Sequence, residues 1–199
     1  GEIPDDRVST EFELVDLQHV SGTIQEDTTW RGIVIVDEAV RVAEGAVLTV
    51  EPGTVVKFGA GTELEVDGRL NAGELNKADV IFSSALDDVA AGDTNSDGEA
   101  SSPAAGDWDG IEVDGSGVAN IENARIQYAD TGINADAQGA KVTIENVIVR
   151  DGGYGVYVYS PYAEVEAENC VIADNARTGV FVRADSRHTF RNSTIVGNG

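Results

Sequence analysis

Four asparagines recur at a constant spacing of 23 residues in the second half of the chain. They are Asn123, Asn146, Asn169 and Asn192, within the segments IENARI, IENVIV, AENCVI and FRNSTI. The residues two before and three after each asparagine are apolar in every unit, and the residue directly before each asparagine is charged. A fixed period of this size is typical of stacked structural repeats, and alternation with period two is typical of β-strands.

A second alternating strand follows each asparagine strand, in the segments TGINAD, YGVYVY and TGVFVR. A unit of 23 residues that holds two strands is too short for a βαβ unit, and no helical stretch supplies a crossover. The pattern therefore predicts a coil of strands in which each turn pairs in parallel with the next.

An independent period of eight residues occupies 32–72, where Gly45, Gly53 and Gly61 are equally spaced. Apolar residues stand three and five positions after each glycine: Leu48, Val50, Val56, Phe58, Leu64 and Val66. Each unit is thus one strand with a turn at its glycine, where a positive φ costs little. Three units of eight make 24 residues, close to the asparagine period. Both periods describe one triangular coil.

The order of these parts carries a resemblance to a known family. The run GAVLTVEPGTVVKFGAGTELEVDGRLNAG, then VIFSS, an acidic loop and the asparagine repeats resembles secreted bacterial right-handed parallel β-helix repeat proteins of the pectate-lyase-like superfamily. The resemblance covers residues 25–199 and implies an all-β, single-stranded right-handed parallel β-helix. It implies no single activity, because the family includes polysaccharide lyases, glycosidases, adhesins and proteins of unknown role. We expect residues 1–24 to be an N-terminal arm or cap strand, and 86–107 to be a loop insertion.

Charge excludes several classes of partner. The chain has 36 acidic and 13 basic residues and a net charge of −23, which disfavours nucleic acid and anionic membranes. Such acidity fits cation binding or a saline medium. A single cysteine excludes an internal disulfide framework, and no segment has the pattern of a transmembrane helix or signal peptide. We expect a secreted or cell-surface protein of a bacterium or archaeon.

The loop at 86–107 is a candidate calcium site. In it Asp93, Asn95 and Asp97 alternate before a glycine turn, which is the front half of a calcium-binding loop. The glutamate expected at position 12 is absent, since Ala104 stands there. Further ligands would come from other acidic residues of the loop: Asp87, Asp88, Glu99 and Asp107. The alternative is a solvated acidic turn.

The second strand of each repeat is the candidate recognition surface. Its outward positions form columns that carry aromatic side chains together with arginine and aspartate, a combination that suits packing on sugar rings and hydrogen bonding to hydroxyls. The residues are Asp136, Tyr154, Tyr157, Tyr159, Phe181 and Arg183. The alternatives are cross-strand aromatic pairing that stabilises the sheet, or a contact with another protein. We interpret the asparagine column as a structural ladder of turn amides.

No catalytic residues are identified. His19 and His188 stand in unrelated contexts, and Cys170 shares a column of small side chains. The glutamates at 164, 166 and 168 suit glycosidase chemistry but also a solvated ladder. We therefore predict a calcium-stabilised structural module, or one that binds carbohydrate or another partner.

Two alternative functions stay open. One is a polysaccharide lyase or glycoside hydrolase, or a fragment of one. The other is a surface protein that self-associates end to end. Because Asn192 opens a turn that the sequence leaves at Gly199, we expect a longer protein or a neighbour to cap the coil.

Overall fold

A computed structural model describes residues 17–98, 100–183 and 187–199, and these residues form eighteen β-strands and no helix. The strands are β1 (Leu17–Ile24), β2 (Thr28–Trp30), β3 (Ile33–Val42), β4 (Val47–Val50), β5 (Val55–Phe58), β6 (Glu63–Val66), β7 (Arg69–Ala72), β8 (Val80–Ser84), β9 (Trp108–Val113), β10 (Val118–Gln127), β11 (Ala129–Asn134), β12 (Lys141–Arg150), β13 (Tyr154–Val158), β14 (Glu164–Glu168), β15 (Val171–Ala173), β16 (Val180–Val182), β17 (Arg187–Arg191) and β18 (Thr194–Val196). Within the described ranges no helix is long and apolar enough to cross a membrane.

The strands stack in parallel into a coil of about seven turns with three faces. Face 1 contains β2, β4, β7, the first halves of β10 and β12, β14 and β17. Face 2 contains the first halves of β1 and β3, β5, β8, the second halves of β10 and β12, β15 and β18. Face 3 contains the second halves of β1 and β3, β6, β9, β11, β13 and β16. The predicted triangular parallel coil is confirmed.

Inward side chains fill the coil along its whole length. The six apolar residues of the eight-residue period are all buried to within 1% of full burial. Trp108 is also fully buried, with its ring stacked 4.0 Å from that of Phe58 and its Nε1 donating to Gln127 O at 2.8 Å. Burial on this scale is the main stabilising term of the fold.

Two columns of left-handed backbone make the corners of the later turns. The predicted asparagines lie between faces 1 and 2 with φ from 44° to 60°, and Asn146 Nδ2 donates to Asn123 Oδ1 at 2.7 Å. A second column at the corner of faces 2 and 3 has φ of 55–65° at Tyr128, Asp151 and Asp174. The second column escapes sequence analysis because tyrosine is not a typical left-handed residue.

β1 lies at the first end of the coil, within the residues expected as an arm or cap strand. It pairs in parallel with β3 from Leu17 onward. Its side chains are mostly exposed. The rest of the predicted N-terminal arm lies outside the described residues.

Candidate functional site

Face 3 carries a continuous outward column that changes character along the coil axis. Strand register places Arg41, Glu65, Glu112, Asn134, Tyr157 and Phe181 on successive turns. The first half of the column is charged and the second half is aromatic. Side chains that share a face at about 4.8 Å spacing contact one another directly.

The aromatic half is a contiguous patch, which we call the aromatic patch: Tyr154, Tyr157, Tyr159 and Phe181. Tyr157 stacks on Phe181 with ring centroids 4.7 Å apart and planes 12° apart. Its ring is also parallel to that of Tyr159 at 6.3 Å and meets Tyr154 edge to face at 5.4 Å. Four of the six predicted recognition residues thus form one group of rings.

Stacking determines which ring surfaces remain free. Tyr157 is half-buried, and its face toward the next turn is covered by Phe181. Tyr159 is 45% exposed and Phe181 is 37% exposed. The free ring surface of the patch therefore lies mainly on Tyr159 and on the outer side of Phe181, whereas Tyr157 packs across the strands.

Two arginines border the aromatic patch. The guanidinium of Arg183 lies 4.7 Å from the Tyr159 centroid, and that of Arg177 lies 5.0 Å from the Tyr154 centroid. Arg177 also forms an ion pair with Asp130 at 3.0 Å. Asp136 is exposed one turn before Tyr159, so the patch has both hydrogen-bond donors and an acceptor at its edge.

The charged half of face 3 holds a carboxylate cluster that the sequence did not reveal. Oxygens of Glu65, Asp67 and Asp114 lie within 4.8 Å of one another, and they are the one such group of three among the described residues. Arg41 bridges two of them, at 2.9 Å from Glu65 and 2.5 Å from Asp67. The 86–107 insertion lengthens the interval from Glu65 to Glu112 to 47 residues, so no constant spacing marks them.

Two glutamates beside this cluster, Glu112 and Glu63, have raised pKa values. Burial raises the pKa of Glu112 above its usual value of 4.5, and the like charges of Glu63, Asp114, Glu65 and Asp136 add to the rise. The pKa of Glu63 is raised in the same way, by burial first and then by two neighbouring carboxylates. Both carboxyls hold their protons more tightly in the folded chain than in the unfolded chain.

Glu112→Gln is expected to stabilise the protein at neutral pH by about 0.5 kcal/mol, because it removes a like-charge contact across adjacent strands. A carboxyl whose folded pKa is raised stabilises the fold below the unfolded pKa and loses that contribution as pH rises through the folded pKa. The variant should therefore gain stability above pH 4.5 and change little below it. Urea unfolding at several pH values measures this difference. Glu38→Gln, at an exposed corner, is the control; an equal gain in both variants would contradict the assignment.

The insertion at 86–107 folds back over the outer side of face 2. Asp87 Oδ2 accepts from Ser83 at 2.5 Å, and Asp107 Oδ2 accepts from Ser84 at 2.7 Å. Asp87 Oδ1 also accepts from the backbone amides at 89 and 90. Two of the predicted calcium ligands therefore anchor the ends of the loop to β8.

Lys57 is the functional residue of this region that sequence analysis missed. Its side chain is 0% exposed, and its Nζ donates to Gly92 O at 2.7 Å. Burial lowers the pKa of Lys57, and the charges of Asp87, Asp88 and Asp93 counteract that shift. The structure thus places an ammonium group under the loop, near three of its carboxylates. An outward lysine on an ordinary strand gives no sequence signal of this role.

The predicted ligands in the middle of the loop do meet in one turn. Asp93 accepts from the amides of Asp97 and Gly98 at 3.3 and 2.9 Å, and Asn95 Nδ2 donates to Asp97 at 2.9 Å. Asp88 lines an open pocket of about 510 Å³ between the two ends of the loop and Tyr128, and its Oδ1 is buried without a hydrogen-bond partner among the described residues. Glu99 lies outside the described residues.

Other chemically reactive side chains have structural environments. His19 forms an exposed pair with Asp37 at 2.9 Å. Cys170 is buried, and burial raises the pKa of its thiol. A thiol held in its neutral form is a poor nucleophile.

The later turns match a known family of repeats. Residues 109–199 match the right handed beta helix region. This match agrees with the handedness that the resemblance implied, and the earlier turns continue the β-helix in register through β9. No curated protein and no solved structure gives a significant match to the chain. The β-helix fold is therefore shown.

Proposed function

We propose that the protein is a secreted or cell-surface β-helix module that binds a neutral polysaccharide along face 3. The observation that carries this proposal is the aromatic patch, where Tyr159 and Phe181 expose apolar ring surface beside two arginines and a carboxylate. Aromatic rings pack on the C–H faces of sugars, while charged side chains bind hydroxyls. An exposed group of large aromatic side chains on a soluble surface is typical of an interaction site.

Charge and shape favour a neutral linear ligand. A net charge of −23 repels acidic polysaccharides, whereas a neutral sugar chain loses nothing to that field. The stacked strands of face 3 offer a chain ligand one contact on each successive turn, first at aromatic rings and then at Asn134 and Glu112. A long, regular surface suits a repetitive ligand better than a single small molecule.

The double variant Tyr159→Ala with Phe181→Ala is expected to weaken binding of a neutral polysaccharide about tenfold or more, because it removes the exposed ring surfaces. Titration calorimetry against glucan, mannan and xylan oligosaccharides measures the change. Tyr162→Ala is the matched control, since that tyrosine is 66% exposed and is in no ring contact among the described residues. If the double variant kept its affinity, or if the control lost as much, the polysaccharide would not bind at the exposed rings of face 3.

We also propose that the 86–107 loop binds calcium through Asp93, Asn95 and Asp97. Their meeting in one turn and the unpartnered Asp88 Oδ1 support this assignment, although Lys57 already neutralises part of the loop. The ion would stabilise the loop and takes no part in the binding of sugars.

Millimolar calcium is expected to raise the melting temperature by a few degrees, consistent with a Kd of about 10⁻⁴–10⁻³ M. The double variant Asp93→Ala with Asp97→Ala should lose the increase. Magnesium at the same concentration controls for ionic strength. An unchanged melting temperature of the wild-type protein in calcium would refute the site.

A second candidate function is polysaccharide cleavage on the same face. Glu63 and Glu112 are carboxylic acids of raised pKa on neighbouring turns, and such groups serve as general acids in glycosidases. Incubation with the same oligosaccharides, followed by assay of reducing ends and of unsaturated products, distinguishes an enzyme from a binding module. New reducing ends that disappear in Glu112→Gln would favour the enzyme.

A further inference from the structure

An amide oxygen in the middle of face 3 is buried without a hydrogen-bond donor. It is Oδ1 of Asn134, on β11, between the charged and the aromatic halves of the outward column. Among the described residues no donor bonds to this oxygen, whereas Nδ2 of the same amide is not buried in this way. A buried acceptor without a donor costs free energy, so a partner for this oxygen is expected.

The neighbour of Asn134 on the following turn does not supply the donor. Tyr157 is its direct partner in the strand register, and the tyrosine ring is stacked on Phe181, one turn further along the axis. The phenol forms no hydrogen bond with Asn134 Oδ1. The backbone amide of Ala135 is also occupied, because it donates to Tyr157 O at 2.9 Å. The remaining neighbour in the column lies on the preceding turn.

Glu112 is that neighbour on the preceding turn. It is the direct partner of Asn134 in the pairing of β9 with β11, and both side chains are half-buried on the outer side of the sheet. An ionised carboxylate only accepts hydrogen bonds, whereas a neutral carboxyl has one O–H donor. Glu112 can therefore satisfy Asn134 Oδ1 only when it carries its proton.

The charges around Glu112 favour its neutral form. The groups that act on it from the neighbouring elements are all acidic: Glu63 and Glu65 on β6, Asp114 after β9 and Asp136 after β11. Burial raises the pKa of Glu112, and these like charges raise it further. Arg41, the cation of the same column, lies two turns away and pairs with Glu65 at 2.9 Å.

We propose that Glu112 is a positioning residue of face 3, whose neutral carboxyl donates a hydrogen bond to Asn134 Oδ1 and so turns the Nδ2 donors of Asn134 toward a bound sugar. This role rests on the proposed binding of neutral polysaccharide to face 3. Sugar hydroxyl and ring oxygens accept hydrogen bonds, so a fixed amide donor beside the aromatic patch adds one directed contact.

The hydrogen bond makes the site sensitive to pH. It is fully present below the ordinary pKa of a glutamate and is lost as pH rises through the raised pKa of folded Glu112. Once ionised, Glu112 accepts hydrogen bonds instead, and the amide of Asn134 turns its Nδ2 toward the carboxylate. The sugar then loses its amide donor.

NMR titration of the Glu112 carboxyl in the unliganded protein tests the hydrogen bond. In Asn134→Leu the titration midpoint should fall, because the neutral carboxyl loses its acceptor, although the apolar side chain by itself would raise it. Glu38→Gln, at an exposed corner, should leave the midpoint at its wild-type value. A rise in Asn134→Leu would mean that Asn134 donates to the ionised carboxylate, and an unchanged midpoint would mean that the two side chains are not bonded. Either result would overturn the proposal.

Calorimetry with glucan, mannan and xylan oligosaccharides at about pH 5 and about pH 8 tests the positioning role. The wild-type protein should bind its oligosaccharide about threefold to tenfold more tightly at the lower pH. Glu112→Gln should bind equally at both pH values, because its amide donates to Asn134 Oδ1 without a proton that titrates. Glu38→Gln should keep the wild-type dependence. A pH dependence that persists in Glu112→Gln would overturn the role.

Two further outcomes separate the positioning role from the proposed function. If no oligosaccharide binds at either pH, both the positioning role and the proposed function are wrong, and the NMR titration still decides whether Glu112 and Asn134 are bonded. If the wild-type protein binds equally at both pH values and only Tyr159→Ala with Phe181→Ala abolishes binding, the rings bind sugar and Glu112 does not position Asn134.

Discussion

Replacing Lys57 by methionine is expected to lower the free energy of unfolding by about 3 kcal/mol and to expose the 86–107 loop to proteases. The lysine side chain is fully buried, and its ammonium is the positive charge that faces the loop carboxylates. Removing one partner of a buried charge arrangement leaves the others uncompensated, which typically costs more than the arrangement contributes. Gly92 O would also lose its donor.

Chemical denaturation and limited proteolysis measure the two effects of Lys57→Met. Lys77→Met is the matched control, because Lys77 is exposed in the turn between β7 and β8. If Lys57→Met stabilised the protein, the buried ammonium would destabilise the fold, and its assignment as the cation that balances the loop carboxylates would be wrong. Calcium should partly rescue the variant, since an ion bound in the loop would replace the missing charge.

Asn175→Ala is expected to cost about 3 kcal/mol, the largest loss of any asparagine substitution in the described coil. Asn175 is 1% exposed and lies at the corner of faces 2 and 3. Its Oδ1 accepts from Gly152 N at 3.1 Å, and its Nδ2 donates to Val149 O and to Asn198 Oδ1. Alanine would leave a backbone amide and a carbonyl buried without partners.

Asn169→Ala is the comparison for Asn175→Ala. Asn169 belongs to the column of constant spacing but is exposed, so its substitution should cost about 1 kcal/mol, mainly from the left-handed backbone at φ 54°. Thermal and urea unfolding of both variants give the difference. If both variants lost the same free energy of unfolding, the buried hydrogen bonds of Asn175 would contribute no more to stability than the exposed Asn169 does.

The repeat pattern predicts the fold because period and burial have the same physical origin. Leu48, Val56 and Leu64 recur every eight residues, since each side of the triangle needs one inward-facing strand. Corner positions are predictable where glycine or asparagine adopts positive φ, as at Gly45 and Asn123. The corner at Tyr128 is not predictable, because stacking on neighbouring turns overrides the local preference of tyrosine.

The surfaces are less predictable because they depend on which turns become neighbours. The alignment of repeats places Tyr157 next to Phe181, and the structure has them in register. Because Phe181 covers one side of Tyr157, Tyr159 is the more exposed of these two tyrosines. The spacing of the repeats alone does not indicate this difference in exposure. Lys57 and the Glu65–Glu112 neighbours depend on the path of the 86–107 insertion, for which the sequence has no period.

One coil thus presents three chemically different faces. Part of face 2 is covered by a loop over a buried lysine, face 3 exposes aromatic and acidic halves, and face 1 has a polar groove. Parallel stacking aligns the side chains of successive turns in columns that run along the axis. Such surfaces suit chain-like ligands, which have a repeat of their own.

Hydroxyl-radical footprinting with and without neutral oligosaccharides tests the binding of sugar to face 3 most directly. Tyr159 and Phe181 should be protected by a bound oligosaccharide, and the exposed Tyr162 should be modified equally in both samples. The control is the same experiment on Tyr159→Ala with Phe181→Ala, in which Tyr154 and Tyr157 should show no protection. Unchanged modification of Tyr159 and Phe181 at saturating concentrations of every oligosaccharide would contradict the proposed function.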